Sequence, residues 1–303
     1  MIEINEVGPR DGLQIEPAFV ATDDKVALVD ALSDCGFARI EVTSFTSARA
    51  IPALADAEAV MQRIRRRPGV VYTCLVPNLR GMERALDSGA DELNLVMSVS
   101  ETHNQANLRM SREQSTVQLL AMLERAGQAG VPCNVSLSTT FGCPFEGDIA
   151  PSEVERLARL FAGAGAAGIT LCDTTGMAYP TQVADLAASL AALLPASIPL
   201  TLHLHNTRGM ALANALAAWQ VGMRRFDGAV GGLGGCPYAP GASGNASTEE
   251  LVHMFTCMGV DTGVSLAPLL EVVAALPRLV AREVPSQLLA AGPRLRTHPA
   301  PGR

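Results

Sequence analysis

Short apolar segments alternate with helix-like segments along the whole chain, and this alternation restricts the possible fold more than any other feature. The segments between the apolar runs carry apolar residues at spacings of three and four, as in PSEVERLARLFAGAG. The strand-like runs are IEINEVG, ARIEVTSF, VVYTCLVP, ELNLVMSV, PCNVSLST, ITLCDTTG, LTLHLHN and FDGAVGG. Eight such units at a spacing of about 30 residues match the roughly 250 residues of a (β/α)8 barrel. We therefore predict an α/β protein with a (β/α)8 TIM barrel fold.

The barrel is expected to form a single domain over residues 1–283, because no Gly/Ser-rich linker or change of composition divides the chain. SLAPLLEVVAALPRLVARE predicts an extra C-terminal helical segment, and residues 284–303 are interpreted as a weakly ordered Pro/Arg-rich tail. A doubly wound open sheet is the main rival, but it usually has a glycine-rich phosphate turn after its first strand, where this chain has GPRDGLQ. Glycines predicted to end helices before the next strand are Gly36, Gly89, Gly130 and Gly168.

Charge and composition favour small-molecule partners. The chain has 23 Lys+Arg against 30 Asp+Glu and a net charge of −7, which argues against nucleic acid or an anionic membrane as a partner. The one lysine, Lys25, lies at the predicted start of the first helix, so a Schiff-base aldolase lacks a lysine inside the barrel. The seven cysteines are scattered, which fits reduced thiols. No export signal is recognised, and we expect a soluble, cytoplasmic protein.

Polar residues at the predicted strand ends indicate a metal site. His203 and His205 are two positions apart on the seventh strand and point to the same face, near its end. Catalytic groups of barrel enzymes lie at the ends of the strands, and Asp11 follows the first strand. The three side chains would form a partial ligand set for Mg²⁺, Mn²⁺ or Zn²⁺. Two structural imidazoles, and a solvated turn residue or helix cap at Asp11, are the alternatives.

Three further charged residues are candidates for the same face. Arg10 could stabilise an enolate or carboxylate oxygen, or form only a surface salt bridge. Glu41 shares a strand face with Thr43, and a carboxylate inside a barrel needs a partner, for which we expect Arg10. Asp173 could orient a metal-bound histidine or accept a proton, or it could cap the next helix.

The segment GGLGGCPYAPGASGN, residues 231–245, is too rich in glycine to be regular structure and is interpreted as a mobile lid. Cys236 could donate a proton to a carbanion, or be an incidental thiol. Asn245 could be a ligand, or only an entry residue before Ser247, which has Glu250 at the spacing of a capping box.

Together, GPRDGLQ, IEVTSF, GCPFEG, CDTTG, HLH and the glycine-rich segment resemble the hydroxymethylglutaryl-CoA lyase family, in the right order from residue 2 to about residue 280. The related synthases would be expected to show RDGEQ, whereas Leu13 precedes Gln14 here. The resemblance implies a homo-oligomeric lyase that acts on an acyl-CoA and uses Mg²⁺ or Mn²⁺. The roles that it implies are metal binding by Asp11, His203, His205 and Asn245, and catalysis by Arg10, Asp11, Glu41, Asp173, His203 and Cys236. We expect substrate binding by Arg10, Gln14, Thr43 and Arg208, the last of which departs from the usual family sequence.

The implied reaction is the cleavage of 3-hydroxy-3-methylglutaryl-CoA through an acetyl-CoA enolate, giving acetyl-CoA and acetoacetate. Family members usually have Asp-Thr-Tyr-Gly-Gln after the second metal histidine, whereas this chain has Asn206-Thr207-Arg208-Gly209-Met210. The exchange raises the local positive charge and leaves other substrates open, such as citramalyl-CoA or a free hydroxy-oxo acid. A noncatalytic barrel would be expected to have lost at least one of Arg10, Asp11, His203, His205 or Cys236, and this chain has lost none.

Overall fold

A computed structural model describes residues 1–235 and 244–299, and its eight parallel strands form a closed barrel in sequence order. This confirms the predicted (β/α)8 fold. The strands are β1 (Glu3–Glu6), β2 (Arg39–Ser44), β3 (Val71–Val76), β4 (Glu92–Ser98), β5 (Cys133–Ser138), β6 (Gly168–Asp173), β7 (Leu200–Leu204) and β8 (Arg225–Gly228). Each lies within or at the edge of one of the predicted apolar runs.

Helices follow every strand and surround the barrel. They are α1 (Thr22–Ser33), α2 (Ala57–Arg63), α3 (Leu79–Asp87), α4 (Glu101–Leu108), α5 (Arg112–Ala129), α6 (Pro151–Gly163), α7 (Pro180–Leu193), α8 (Ala211–Gln220), α9 (Thr248–Cys257), α10 (Leu266–Leu279) and α11 (Gln287–Ala291). None of these described helices has the length and apolar character needed to cross a membrane.

The apolar core lies between the strands and the helices, while the inside of the barrel is polar. On β5, Val135 and Leu137 are fully buried in the apolar core. Asn134, the residue before Val135, donates to Oδ1 of Asn94 on β4 at 3.0 Å and to the hydroxyl of Thr170 on β6 at 2.9 Å. Because alternate residues of a strand face opposite sides, the apolar set packs against helices and the amide set faces inward. The barrel interior therefore holds hydrogen-bonded polar side chains in place of the branched apolar layers that are common in this fold.

Three of the four glycines predicted to end helices adopt positive φ angles of 97°, 73° and 70°, namely Gly36, Gly89 and Gly130. The prediction for Gly168 is wrong, because this residue begins β6, and Gly165 has the positive φ of 93° after α6. A Cβ atom at Gly168 would lie 2.9 Å from Oδ1 of Asn134. Close approach of a neighbouring strand therefore accounts for this glycine.

The expected tail begins with ordered structure. Helix α11 contains the buried side chain of Leu288, and the backbone N–H of Gln287 donates to Oε1 of Glu250 at 2.7 Å. The same contact explains why the capping box predicted at α9 does not form: Ser247 precedes the helix without a side-chain cap. The carboxylate of Glu250 binds the following segment instead of the N-terminus of its own helix.

Candidate active site

The predicted ligands meet at the carboxyl ends of the strands. Asp11 lies in a buried π-helical turn, Gly8–Gly12, that follows β1 and has Pro9 at its start. His203 is in β7, and His205, just beyond the strand, forms an isolated antiparallel bridge with Asn245. These connections bring residues from both ends of the chain to one point.

The side chains of Asp11, His203 and His205 form a compact group whose ligand atoms lie within 4.8 Å of one another. Nε2 of His203 is 3.3 Å from Nε2 of His205 and 3.9 Å from Oδ2 of Asp11. The amide nitrogen of Asn245 donates to the same Oδ2 at 2.7 Å. All four residues are buried. Asp11 is therefore neither a solvated turn residue nor a helix cap exposed to water, and the two imidazoles converge on its carboxylate.

This group fits a divalent cation. Mn²⁺ and Zn²⁺ accept both imidazole nitrogens and carboxylate oxygens as ligands in proteins. Mg²⁺ accepts the carboxylate oxygen. Oδ1 of Asn245 is buried and has no hydrogen-bond partner within residues 1–235 and 244–299. Buried polar atoms nearly always have a partner, so this oxygen adds a fourth potential ligand to the set.

Arg10 lies between the buried carboxylates of Asp11 and Glu41, and its contact with Glu41 is the predicted one. Its Nε donates to Oε2 of Glu41 at 2.5 Å, and its Nη1 donates to Asp11. Only 8% of Arg10 is exposed, so the alternative of a surface salt bridge is wrong. Asn94 donates to the other oxygen of Glu41 at 2.8 Å.

Burial and neighbouring charges act in opposite directions on these acids. Burial raises the pKa of Asp11, but the charges of Arg10, His203 and His205 outweigh it and hold the pKa at about 2. For Glu41, burial dominates and raises the pKa, against the lowering effects of Arg10 and Asn94. Asp11 is therefore an ionised acceptor at neutral pH, ready to bind a cation.

Two of the predicted substrate-binding residues lie in or near this group. Gln14 is half-buried and donates from Nε2 to Oδ1 of Asp11 at 2.8 Å. Thr43 is buried on β2, and its hydroxyl has no hydrogen-bond partner in the part of the chain that the structure describes. Their substrate contacts stay predictions.

Asp173, the last residue of β6, is fixed by one oxygen only. Its Oδ1 accepts from the backbone N–H groups of Met177 and Ala178 at 2.7 and 3.1 Å, which shapes the turn before α7. Oδ2 is buried without a partner in the described ranges. Burial raises the pKa to about 6, opposed by the two backbone hydrogen bonds and by the charges of His203 and Arg208. A carboxyl group with this pKa can exchange a proton near neutral pH.

Arg208 lies apart from the ligand group. Its side chain is exposed, and Nη1 donates to the carbonyl oxygens of Thr175 and Gly176 at 3.2 and 2.7 Å. The guanidinium thus joins the loop after β7 to the loop after β6. Its predicted contact with substrate stays a prediction.

Cys236 lies outside the described residues, but the two ends of the glycine-rich segment are described. Gly234 has a φ of 95°, and a Cβ atom there would lie 2.6 Å from Nδ2 of Asn245 and 3.0 Å from the backbone oxygen of Asp11. A side chain at Gly244 would collide with the backbone of Gly232 at 1.8 Å. Glycine is therefore required where this segment passes the ligand group.

Sequence reasoning missed Asp227 on β8. Its Oδ2 lies 3.2 Å from Nδ1 of His203, and its Oδ1 accepts from Nδ2 of Asn5 at 2.8 Å. The sequence signal that could have identified it is an acidic residue inside the strand RFDG, at a position whose side chain faces the barrel interior. The sequence indicates Asp173 as a candidate for orienting a metal histidine, whereas Asp227 is the carboxylate that contacts Nδ1 of His203.

Lys25 is confirmed as external to the barrel. Its Nζ contacts Oδ1 of Asp56 and the carbonyl oxygen of Ala53, both at 2.6 Å, between α1 and the start of α2. A Schiff base inside the barrel therefore has no lysine to form it.

Comparison with known proteins identifies the family of this chain. The family model described as HMGL-like matches residues 1–276. A hydroxymethylglutaryl-CoA lyase of Bacillus subtilis is 45% identical over 95% of this chain and 96% of its own length, and an (R)-citramalyl-CoA lyase of Chloroflexus aurantiacus is 39% identical over 96% and 95%. The structure of an HMG-CoA lyase from Acinetobacter baumannii in complex with coenzyme A and 3-methylmalate superposes with a TM-score of 0.96, at 48% identity over 99% and 98% of the two chains. The chain therefore belongs to the HMGL-like family.

Proposed function

We propose that this protein is a divalent-metal-dependent carbon–carbon lyase that cleaves 3-hydroxy-3-methylglutaryl-CoA into acetyl-CoA and acetoacetate. The observation that carries the proposal is the convergence of Asp11, His203 and His205, with Arg10 in contact with Asp11, at the carboxyl ends of the barrel strands. The relatives named as hydroxymethylglutaryl-CoA lyases support the same reaction.

Asp11, His203, His205 and Asn245 would hold the cation, which we propose to be Mg²⁺ or Mn²⁺. When bound, it would supply positive charge for the hydroxyl and carboxylate oxygens of the substrate. Arg10 would stabilise the developing enolate oxygen, because its guanidinium is buried, permanently charged and held by Glu41. Gln14 and Thr43 would line the acyl pocket.

The reaction requires one proton to leave the tertiary hydroxyl and one to reach the methylene carbon. Loss of the hydroxyl proton lets the C–O bond become the ketone of acetoacetate, while the electron pair of the broken C–C bond passes to the thioester enolate. Asp173 supports the proton-accepting role, because Oδ1 is fixed by backbone N–H groups and burial raises its pKa to about 6. Cys236 would protonate the enolate from the glycine-rich segment, which completes acetyl-CoA.

A lyase of the same mechanism for another hydroxyacyl-CoA is the second candidate. The relative from Chloroflexus aurantiacus is named as an (R)-citramalyl-CoA lyase, and the Acinetobacter baumannii structure contains 3-methylmalate. Arg208 favours this possibility, since its exposed positive charge contacts the loop that follows Asp173. A substrate with its carboxylate placed differently could reach it.

The test is to incubate the purified protein with 3-hydroxy-3-methylglutaryl-CoA, citramalyl-CoA and methylmalyl-CoA, each with Mg²⁺, with Mn²⁺ and with EDTA. Release of the acyl-CoA product is followed by chromatography. We expect metal-dependent cleavage, fastest with 3-hydroxy-3-methylglutaryl-CoA, and none in the Asp11→Asn variant. Faster cleavage of another ester would identify that ester as the preferred substrate. Absence of cleavage with all esters would refute the lyase assignment.

We also propose that the protein is a cytoplasmic homo-oligomer, a dimer or a higher assembly. Light scattering after size-exclusion chromatography measures the assembly directly. A mass of 31.7 kDa, that of one chain, would contradict the proposal.

A further inference from the structure

One carboxylate in the barrel interior reaches the metal site without belonging to the ligand group. Asp227 is the register partner of His203 on one side and of Asn5 on the other, so β7, β8 and β1 place the three side chains in a single layer. The side chains of His203 and Asp227 are 9% and 12% exposed. Their contact is therefore shielded from competing water.

The two ring nitrogens of His203 face different partners. Nε2 is directed at the ligand group, 3.3 Å from Nε2 of His205 and 3.9 Å from Oδ2 of Asp11. Nδ1 is directed at Oδ2 of Asp227 at 3.2 Å. A carboxylate can only accept from a neutral imidazole, so this contact favours the proton on Nδ1 and leaves the lone pair on Nε2 for a cation.

Asp227 is itself held in place. Asn5 donates to its Oδ1 at 2.8 Å, which leaves Oδ2 directed at the imidazole. Asp11 faces the other ring nitrogen, Nε2. Asp173, a third acid near His203, has its bonded oxygen engaged with the backbone of Met177 and Ala178. Within the described residues, Asp227 is thus the carboxylate that contacts Nδ1 of His203.

We infer that Asp227 is a positioning residue for the metal centre: it fixes the orientation and the proton position of His203, and Asn5 supports it. The inference rests on the proposed metal site but not on the identity of the acyl-CoA. Partners of this kind typically contribute about 10- to 100-fold to metal affinity.

Mn²⁺ affinity of the full-length protein, measured from the electron paramagnetic resonance signal of free Mn²⁺, tests this without any substrate. We expect Asp227→Asn to weaken binding by about 10- to 100-fold and Asn5→Ala to weaken it less. Asp185→Asn is the matched control, because Asp185 is an exposed acid on α7 and its removal changes the net charge equally. Circular dichroism of the metal-free variants establishes that they are folded. If Asp227→Asn fails to fold, Asn5→Ala takes its place in the comparison.

A double-mutant cycle with His203→Ala separates positioning from simple attraction between charges. If Asp227 acts through the imidazole, Asp227→Asn has little further effect once His203 is absent. An equal loss in both backgrounds, or wild-type affinity in Asp227→Asn and Asn5→Ala, would overturn the inference. Wild-type protein that binds Mn²⁺ normally but cleaves no ester would refute the proposed lyase function and leave the role of Asp227 to be decided by the affinities.

Discussion

Arg10 shows how this site combines buried charges. Its guanidinium contacts Asp11 and Glu41 through different nitrogen atoms, so one cation serves two carboxylates. A cation bound by Asp11, His203 and His205 would compensate the remaining negative charge, which would offset the cost of burying these acids. Removing Arg10 would therefore affect the two acids as well as any contact with substrate.

We predict that Arg10→Lys lowers kcat by about 100- to 1,000-fold, as expected for loss of a donor that stabilises an oxyanion. Lysine keeps the charge near Asp11 but cannot reproduce the planar, two-sided contact. Mn²⁺ affinity should change by only a few-fold in Arg10→Lys, whereas Arg10→Ala should weaken it more, because Asp11 then loses the guanidinium donor that holds its carboxylate in place. Steady-state kinetics and Mn²⁺ titration measure the two effects, and normal turnover in Arg10→Lys would exclude a role in stabilising the enolate.

The turn after β1 and the loop after β8 depend on each other for their positions. A Cβ atom at Gly12 would lie 2.9 Å from Cβ of Leu233, and one at Gly234 would meet Nδ2 of Asn245 at 2.6 Å. Leu233 also accepts, through its carbonyl oxygen, from the side chain of Asn245 at 2.9 Å. The loop that begins the glycine-rich segment is therefore packed directly onto the turn that carries Asp11.

Gly234→Ala should weaken Mn²⁺ binding in addition to destabilising the protein by about 1–2 kcal/mol for a left-handed backbone. Its φ is 95°, and the added methyl group would displace the amide of Asn245. Gly222→Ala is the control, because Gly222 has a φ of 108° and nothing within 4 Å of its Cβ position. Denaturation and Mn²⁺ titration of both variants compare the effects, and equal metal affinity in the two would show that the close packing at Gly234 is unimportant for the site.

Glu6, the last residue of β1, connects the turn after β1 to the loop after β8. Its Oε1 accepts from the backbone N–H groups of Gly8 at 2.6 Å and Val230 at 3.1 Å. Burial raises the pKa of Glu6 to about 8, although hydrogen bonds involving Thr248, Gly8 and Val230 lower it. The carboxyl group is therefore protonated in the folded protein over a pH range in which it ionises in the unfolded chain.

Unfolding should release a proton from Glu6 between pH 4.5 and about 8, so this group's stabilising contribution is complete below pH 4.5 and is lost as the pH rises to about 8. The loss approaches about 1.4 kcal/mol per pH unit. We predict that Glu6→Gln, which keeps an acceptor oxygen, gains stability relative to wild type as the pH increases over this range. Urea denaturation at several pH values measures the difference, with Glu124→Gln on the exposed face of α5 as the control. A difference that does not vary with pH would contradict the raised pKa.

Closure of the barrel is what assembles the site. The strand β1 pairs with both β2 and β8, so residues after the first and last strands become neighbours. Asp11 and Asn245 are separated by 234 positions in the sequence and share a hydrogen bond of 2.7 Å. A ligand bound by both residues should therefore stabilise the whole fold.

We expect Mg²⁺ or Mn²⁺ to raise the Tm, because a ligand that binds only the folded state adds about 2.7 kcal/mol when present at 100 times its Kd. EDTA should reverse the shift. The Asp11→Asn variant should lose it, and the Asp185→Asn control should retain it. Differential scanning calorimetry measures these values, and an identical Tm with and without metal in wild type would contradict a site formed by folding.

The periodicity of the sequence predicted the eight strands, the surrounding helices and the end of the barrel at which the chemistry lies. It did so because burial against helices imposes regular apolar spacing on each unit locally. Polar residues at strand ends stand out against that spacing, so Asp11, His203, His205 and Asp173 were recognisable. The pairing of Arg10 with Glu41 followed from the cost of burying a carboxylate inside a barrel.

Other features depended on which strands become neighbours. Asp227 became recognisable as the partner of His203 only when β7 and β8 were in register, and the role of Gly168 depended on the approach of Asn134. Glu250 has the spacing of a capping residue, yet it binds Gln287 of a distant segment. Local pattern thus determined the elements and the candidate ligands, whereas closure of the barrel determined their partners, because contacts between distant residues leave no periodic signal along the chain.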